Sequence, residues 1–127
     1  MKTYDGGCHC GRVRFRVTSD LDAATIERCN CSICRKKGFL HLIVPPAQFE
    51  LLSGADDLTV YTFNTGVAKH QFCRHCGIHS FYSPRSDPGK VDVNLRCLEG
   101  VDADAFVVEL FDGQNWEMAY RGSRTRP

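Results

Sequence analysis

No stretch of this chain is apolar for long enough to cross a bilayer; runs such as Phe39 to Pro46 fall far short of the ~20 residues a spanning helix needs. Met1-Lys2-Thr3-Tyr4-Asp5 likewise lacks the apolar stretch of a secretory signal. Charge of one sign is missing too. Sixteen Lys and Arg stand against fifteen Asp and Glu, a net charge of +1, so no global field draws the protein to nucleic acid or to an anionic membrane. No internal repeat, low-complexity run or linker interrupts the sequence, and no window carries a long helical period. These absences lead to the expectation of a cytoplasmic protein folded as a single domain over residues 1–127, with 121–127 as a loose tail.

What remains is a series of short β-type segments between turn signals. Alternating or β-branched stretches recur at Arg12 to Val17, Ala24 to Arg28, Phe39 to Val44, Leu58 to Phe63, His79 to Tyr82, Val91 to Leu95 and Phe106 to Phe111. Gly6-Gly7, Pro45-Pro46, Asn64-Thr65-Gly66, Asp87-Pro88-Gly89 and Asp112-Gly113 punctuate them. Helical turns are expected at Ser32 to Lys37, Ala47 to Glu50 and Asn115 to Tyr120. The fold class is mainly β.

Eight cysteines are well above ordinary usage. In a reducing compartment, cysteines grouped at short spacing point to metal rather than to disulfides, and Cys-x-Cys neighbours are badly placed to bridge each other. Cys8 and Cys10 flank His9 in a glycine-bounded loop, and Cys73 and Cys76 form a Cys-x-x-Cys knuckle closed by Gly77. Each pair supplies two sulfurs; together they make the tetrahedral set of a closed structural zinc site, stapling the start of the chain to its middle. Cys29, Cys31 and Cys34 supply three sulfurs from one segment, which leaves a tetrahedral ion incomplete. The fourth position of this second zinc is open to Cys97, a histidine, water or a substrate thiol. Cys97, after a strand, reads by default as a small buried hydrophobe.

Taken in order, Gly6 to Gly11, Cys29 to Lys36 and Phe72 to Gly77 resemble the glutathione-dependent formaldehyde-activating enzyme (GFA) family over nearly the whole chain. Tyr61 to Thr65, Ser80 to Ser86 and Asn115 to Glu117 look closest to its centromere protein V branch. The resemblance implies an Mss4-like, β-tent fold of two packed antiparallel sheets with zinc knuckles. It also implies the same ligand grouping, Cys8, Cys10, Cys73 and Cys76 on one zinc and Cys29, Cys31 and Cys34 on the other. The implied activity is that of a carbon–sulfur lyase, S-hydroxymethylglutathione synthase-like, with glutathione as the thiol.

The chemistry of the three-sulfur site agrees with this. Three thiolates and a divalent ion sum to −1, a poor Lewis acid for hydrolysis but able to hold a fourth thiol as thiolate, the form that attacks an electrophile. Arg35, Lys36 and Lys37 follow immediately and could offset that charge and receive the carboxylates of a peptide-like thiol; the alternative is a solvated basic turn. None of His9, His41, His70, His75 and His79 is singled out by spacing as an acid or base. Tyr61, Phe63, Asn64 and Phe81 could line a cleft or simply fill the core. The leading expectation is an enzyme acting on a small-thiol adduct of an aldehyde, with no membrane and no nucleic-acid partner. The alternatives are a non-catalytic zinc domain that binds a protein or chromatin partner and, third, a thiol redox role using Cys97.

Overall fold

A computed structural model describes residues 1–117. Among the described residues, ten strands form three sheets and one α-helix joins two of the strands. The first sheet is β1 (Lys2–Gly7), β2 (Arg14–Ser19) and β5 (Phe49–Ser53), antiparallel in the order β1-β2-β5. The second has five strands in the order β10-β3-β4-β9-β8, from β3 (Ile26–Cys29), β4 (Leu40–Val44), β8 (Phe81–Tyr82), β9 (Val91–Asn94) and β10 (Val108–Phe111). Its β10–β3 pair is parallel and the rest antiparallel. A two-stranded ribbon, β6 (Leu58–Tyr61) with β7 (His70–Cys73), completes the set.

The period-two alternation of strand side chains divides the five-stranded sheet into two chemically different faces. Leu40, Leu42 and Val44 of β4 and Val93 of β9 join Phe15 and Val17 of β2 in the hydrophobic core between the sheets. Phe15, Phe49 and Phe81 interlock there, with ring centroids 4.8 to 6.0 Å apart. The intervening residues, His41 and Ile43 on β4 and Asp92 on β9, line a cavity instead. That second face holds the polar side chains His41 and Asp92.

The helix α1 (Ser32–Lys37) begins where Cys31 caps it, its Sγ accepting from the Cys34 amide at 3.4 Å, and ends on Gly38 in the left-handed region at φ 66°. Residues Ala47 to Glu50, expected as a helical turn, divide differently. A 3₁₀ turn occupies Pro46–Gln48 and Phe49 already belongs to β5, where its ring can reach Phe15 and Phe81. Near the end of the described chain a 3₁₀ turn covers Gly113–Asn115. Of the turn expected over Asn115 to Tyr120, Asn115 closes this 3₁₀ turn and Trp116 is in the right-handed helical region, while residues 118–120 and the expected tail at 121–127 lie outside the described residues.

Candidate metal centres and cavity

Two cysteine clusters form. The sulfurs of Cys8, Cys10, Cys73 and Cys76 lie within 4.8 Å of one another. Cys8 to Cys10 and Cys10 to Cys73 are each 3.6 Å apart. Four sulfurs at ~2.3 Å from a zinc ion in tetrahedral array stand about 3.8 Å from each other, so this donor set is close to the one such an ion takes. Cys8 and Cys73 are buried, the Val13 amide donates to Cys8 Sγ at 3.3 Å, and the 73–76 turn closes through the Gly77 amide on the Cys73 carbonyl at 2.8 Å.

The second cluster is Cys29, Cys31 and Cys34, again with all sulfurs within 4.8 Å. Cys29 ends β3, Cys31 caps α1 and Cys34 is its buried residue. The loop between them is held from the far end of the chain. Asn30 donates to Asp112 at 2.9 Å, while its own side-chain oxygen and carbonyl accept from Gln114, both at 3.1 Å. Gly113 completes the cradle, because a Cβ there would run into Cys29 Sγ and stand 2.8 Å from Cys31 Cβ. Crowding splits the thiols. Hydrogen bonds from Cys29 and Cys34, joined by the Cys34 and Ile33 amides, hold Cys31 well below the usual thiol range, whereas Cys29 and Cys31, together with burial, push Cys34 up. No fourth sulfur joins this cluster among the described residues. Cys97 lies elsewhere, its Sγ 3.9 Å from the His79 carbonyl and its pKa raised by burial.

The three-sulfur cluster forms part of the wall of a cavity of about 420 Å³, together with Phe63, Asn64, His70, Tyr82 and Arg85. A column of rings crosses it: Tyr61 on Phe63 at 5.7 Å, Phe63 on His70 at 5.5 Å and His70 on Tyr82 at 4.8 Å. Phe63 and Asn64 thus line the cleft, Tyr61 borders a second, more open one, and Phe81 is buried in the core.

The three basic residues after Cys34 separate. Arg35 and Lys36 are exposed; Lys36 borders the second cleft and Arg35 lines neither. Lys37 turns inward, with Nζ 3.2 Å from His70 Nδ1 and 4.5 Å from the Tyr82 ring centroid. Arg85, which the sequence reading did not single out, supplies a guanidinium to the cavity, stacked 3.6 Å over Trp116 and 3.2 Å from Glu117. Also unmarked by spacing is the buried pair His41 and Asp92, 2.6 Å apart on the cavity wall. Their strands alternate as core strands do, and only the polar residue at a cavity-facing position of each hints at it. Of the other histidines, His9 is exposed and His75 pairs with Asp57 at 2.7 Å.

The family sequence profile described as glutathione-dependent formaldehyde-activating enzyme matches residues 3–112. A Halomonas elongata protein, provisionally named a glutathione-dependent formaldehyde-activating enzyme, is 35% identical over 80 residues, 57% of this chain and 50% of its own, so the chain spans about half the length of that curated relative. A Rhodobacter sphaeroides protein of known crystal structure is 39% identical and superposes with a TM-score of 0.77, covering 84% of this chain and 98% of its own. Its fold is the mainly β fold described above.

Proposed function

This chain belongs to the glutathione-dependent formaldehyde-activating enzyme family, and from that premise we propose that it is a zinc-dependent carbon–sulfur lyase-like enzyme acting on an adduct of glutathione, or another small thiol, with an aldehyde. One observation carries this reading: three cysteine sulfurs converge on the wall of a 420 Å³ cavity without a fourth. The other cluster, with four sulfurs, is complete in itself. In this reading the protein holds two zinc ions, a structural one on Cys8, Cys10, Cys73 and Cys76 and a catalytic one on Cys29, Cys31 and Cys34. When bound at the second site, the ion supplies a position that takes a thiol as thiolate. Residues 1–127 act as one cytoplasmic domain, and the segments around Tyr61, Ser83 and Trp116 align it with the centromere protein V branch of the family.

The chain's own groups suit such a substrate. Lys37 supports the negative centre from inside, its charge attracted by Cys34, Asp92, Cys31 and Cys29. Arg85 offers a planar cation to a carboxylate of a peptide-like thiol within the same cavity. Arg35 and Lys36, on the exposed side of α1, would meet only a part of the thiol that extends beyond it. The rings of Phe63, His70 and Tyr82 give the same cavity a stacked aromatic side.

The test is to count zinc per chain in protein purified under reducing conditions and to follow the metal's sulfur coordination by X-ray absorption during a glutathione titration. Two ions and a glutathione-dependent rise in sulfur coordination support the reading. Two ions with no response make the second centre closed and overturn it in favour of a non-catalytic binding domain.

A further inference from the structure

The cavity wall that includes the three cysteines also includes two buried polar side chains joined to one another. His41, 5% exposed, and Asp92, 1% exposed, pair through Nδ1 and Oδ2 at 2.6 Å. The Tyr82 hydroxyl stands 3.4 Å from the same Nδ1. The outer atoms of the pair, His41 Nε2 and Asp92 Oδ1, have no hydrogen-bond partner among the described residues. A pair kept only to tie β4 to β9 would leave two unsatisfied buried groups at ~1–3 kcal/mol each, a cost that an apolar pair at this register would avoid. Both residues line the cavity, so the group that Nε2 lacks is one the cavity can deliver.

Resting on the thiol–aldehyde reading above, we propose that His41 is the proton carrier of the cavity, working through Nε2, and that Asp92 is its positioning residue. Asp92 accepts from Nδ1–H, which fixes the tautomer and leaves the Nε2 lone pair for the substrate. In the adduct-forming direction the thiol proton passes to Nε2, and the sulfur pair forms the C–S bond at the aldehyde carbon. As the carbonyl π pair moves onto oxygen, Nε2 returns the proton to it. Lysis runs the same steps backwards, and no proton is gained or lost overall.

The other candidates are either paired or lie outside this cavity. His70 accepts from Lys37 and is held neutral by burial and by that charge, His79 borders the other cleft, and Cys97 lies outside both clusters. The groups facing His41 are Asp92 from β9, Tyr82 from β8, Glu27 opposite it on β3 and His70 from β7, and Lys37 from α1 acts on Asp92 and His70. The Lys37 and Asp92 charges offset each other.

Zinc-loaded wild-type protein and His41→Asn, which keeps a donor for Asp92 but removes Nε2, are compared by calorimetry of glutathione binding in two buffers of different ionisation enthalpy. Near pH 7.5 the wild type should release almost no proton on taking up the thiol, and the variant about one per thiol bound. With metal content equal, exchange NMR should find adduct formation with formaldehyde about 100-fold slower in the variant. Asp92→Asn, a check should His41→Asn not fold, should bind thiol and metal normally yet turn over similarly slowly. Unchanged proton release and turnover in the variants, beside a wild type that binds and turns over, would overturn the role of His41 alone. A wild type that takes up no thiol overturns the underlying reading, and this step with it.

Discussion

Lys37 Nζ lies 3.2 Å from His70 Nδ1 and 4.8 Å from the Phe39 ring centroid, so the last lysine of a basic helical turn is drawn inward rather than left in solvent. His70 can accept there only while Nδ1 is unprotonated, and burial together with the Lys37 charge lowers its pKa to about 4. Burial lowers Lys37 as well, while the nearby cysteines and Asp92 act to keep it charged. Lys37→Met retains the stem that packs on Phe39 and Tyr82 but deletes the cation. Glutathione affinity of the zinc-loaded protein should fall about tenfold by calorimetry, with zinc content unchanged.

The same pair makes stability pH-dependent. His70 and His79 both fall from 6.5 to about 4, each chiefly through burial and then through Lys37. A folded-state pKa below the unfolded one means that the unfolded chain binds more protons between those values. Stability contributed by neutral His70 and His79 is therefore complete above about 6.5 and lost as pH falls towards about 4. Thermal midpoints measured across this window should decline on acidification, and His70→Gln should flatten the decline. An equal slope in wild type and variant would take His70 out of the acid sensitivity and leave it to His79 and the cysteines.

The two cysteine clusters should differ in what they do for the fold. The four-sulfur set joins residues 63 positions apart, Cys10 to Cys73, so an ion there closes a long loop. Cys73→Ser should lower the thermal midpoint by at least about 10 °C. Cys29, Cys31 and Cys34 lie within one short segment, and serine at position 31 can still cap α1 as Cys31 Sγ does for the Cys34 amide. Cys31→Ser should shed one metal by elemental analysis and shift the midpoint by no more than about 3 °C. Equal collapse of both would contradict this division.

The cysteine grouping was legible in the sequence because metal ligands in tight turns have short, fixed spacings; both clusters assemble from the residues so marked. α1 was legible over Ser32–Lys37 because a capping residue and Gly38 bound it. Three strands were not. β1 is polar and ends in two glycines, β7 reads His-Gln-Phe-Cys, and β5 follows two prolines, so each forms by pairing with a neighbour rather than by its own alternation. The cavity was the least legible part. His41 and Asp92 are 51 positions apart, and Asn30 meets Gln114 across 84, relationships that sheet order creates and local pattern does not record.

Gly113 is a further residue of that kind, distant in sequence from the cysteines it serves. Its missing side chain is required by Cys29 Sγ and by Cys31, whose Cβ would stand 2.8 Å from a Cβ at 113 and whose amide nitrogen would stand 3.2 Å away. Cys29 cannot yield easily, since β3 pairs with β10 at Phe111 and Asn30 is tied to Asp112. Gly113→Ala must therefore push the 113–115 turn outward or displace the Cys29 sulfur, at a cost on the order of 1–3 kcal/mol. The four-sulfur cluster draws on other parts of the chain. The variant should lose zinc from the three-cysteine site at chelator concentrations at least about tenfold lower than the wild type, while the other ion resists chelation as before. Equal loss from both sites, or from neither, would show that the turn at Gly113 does not shape the second centre.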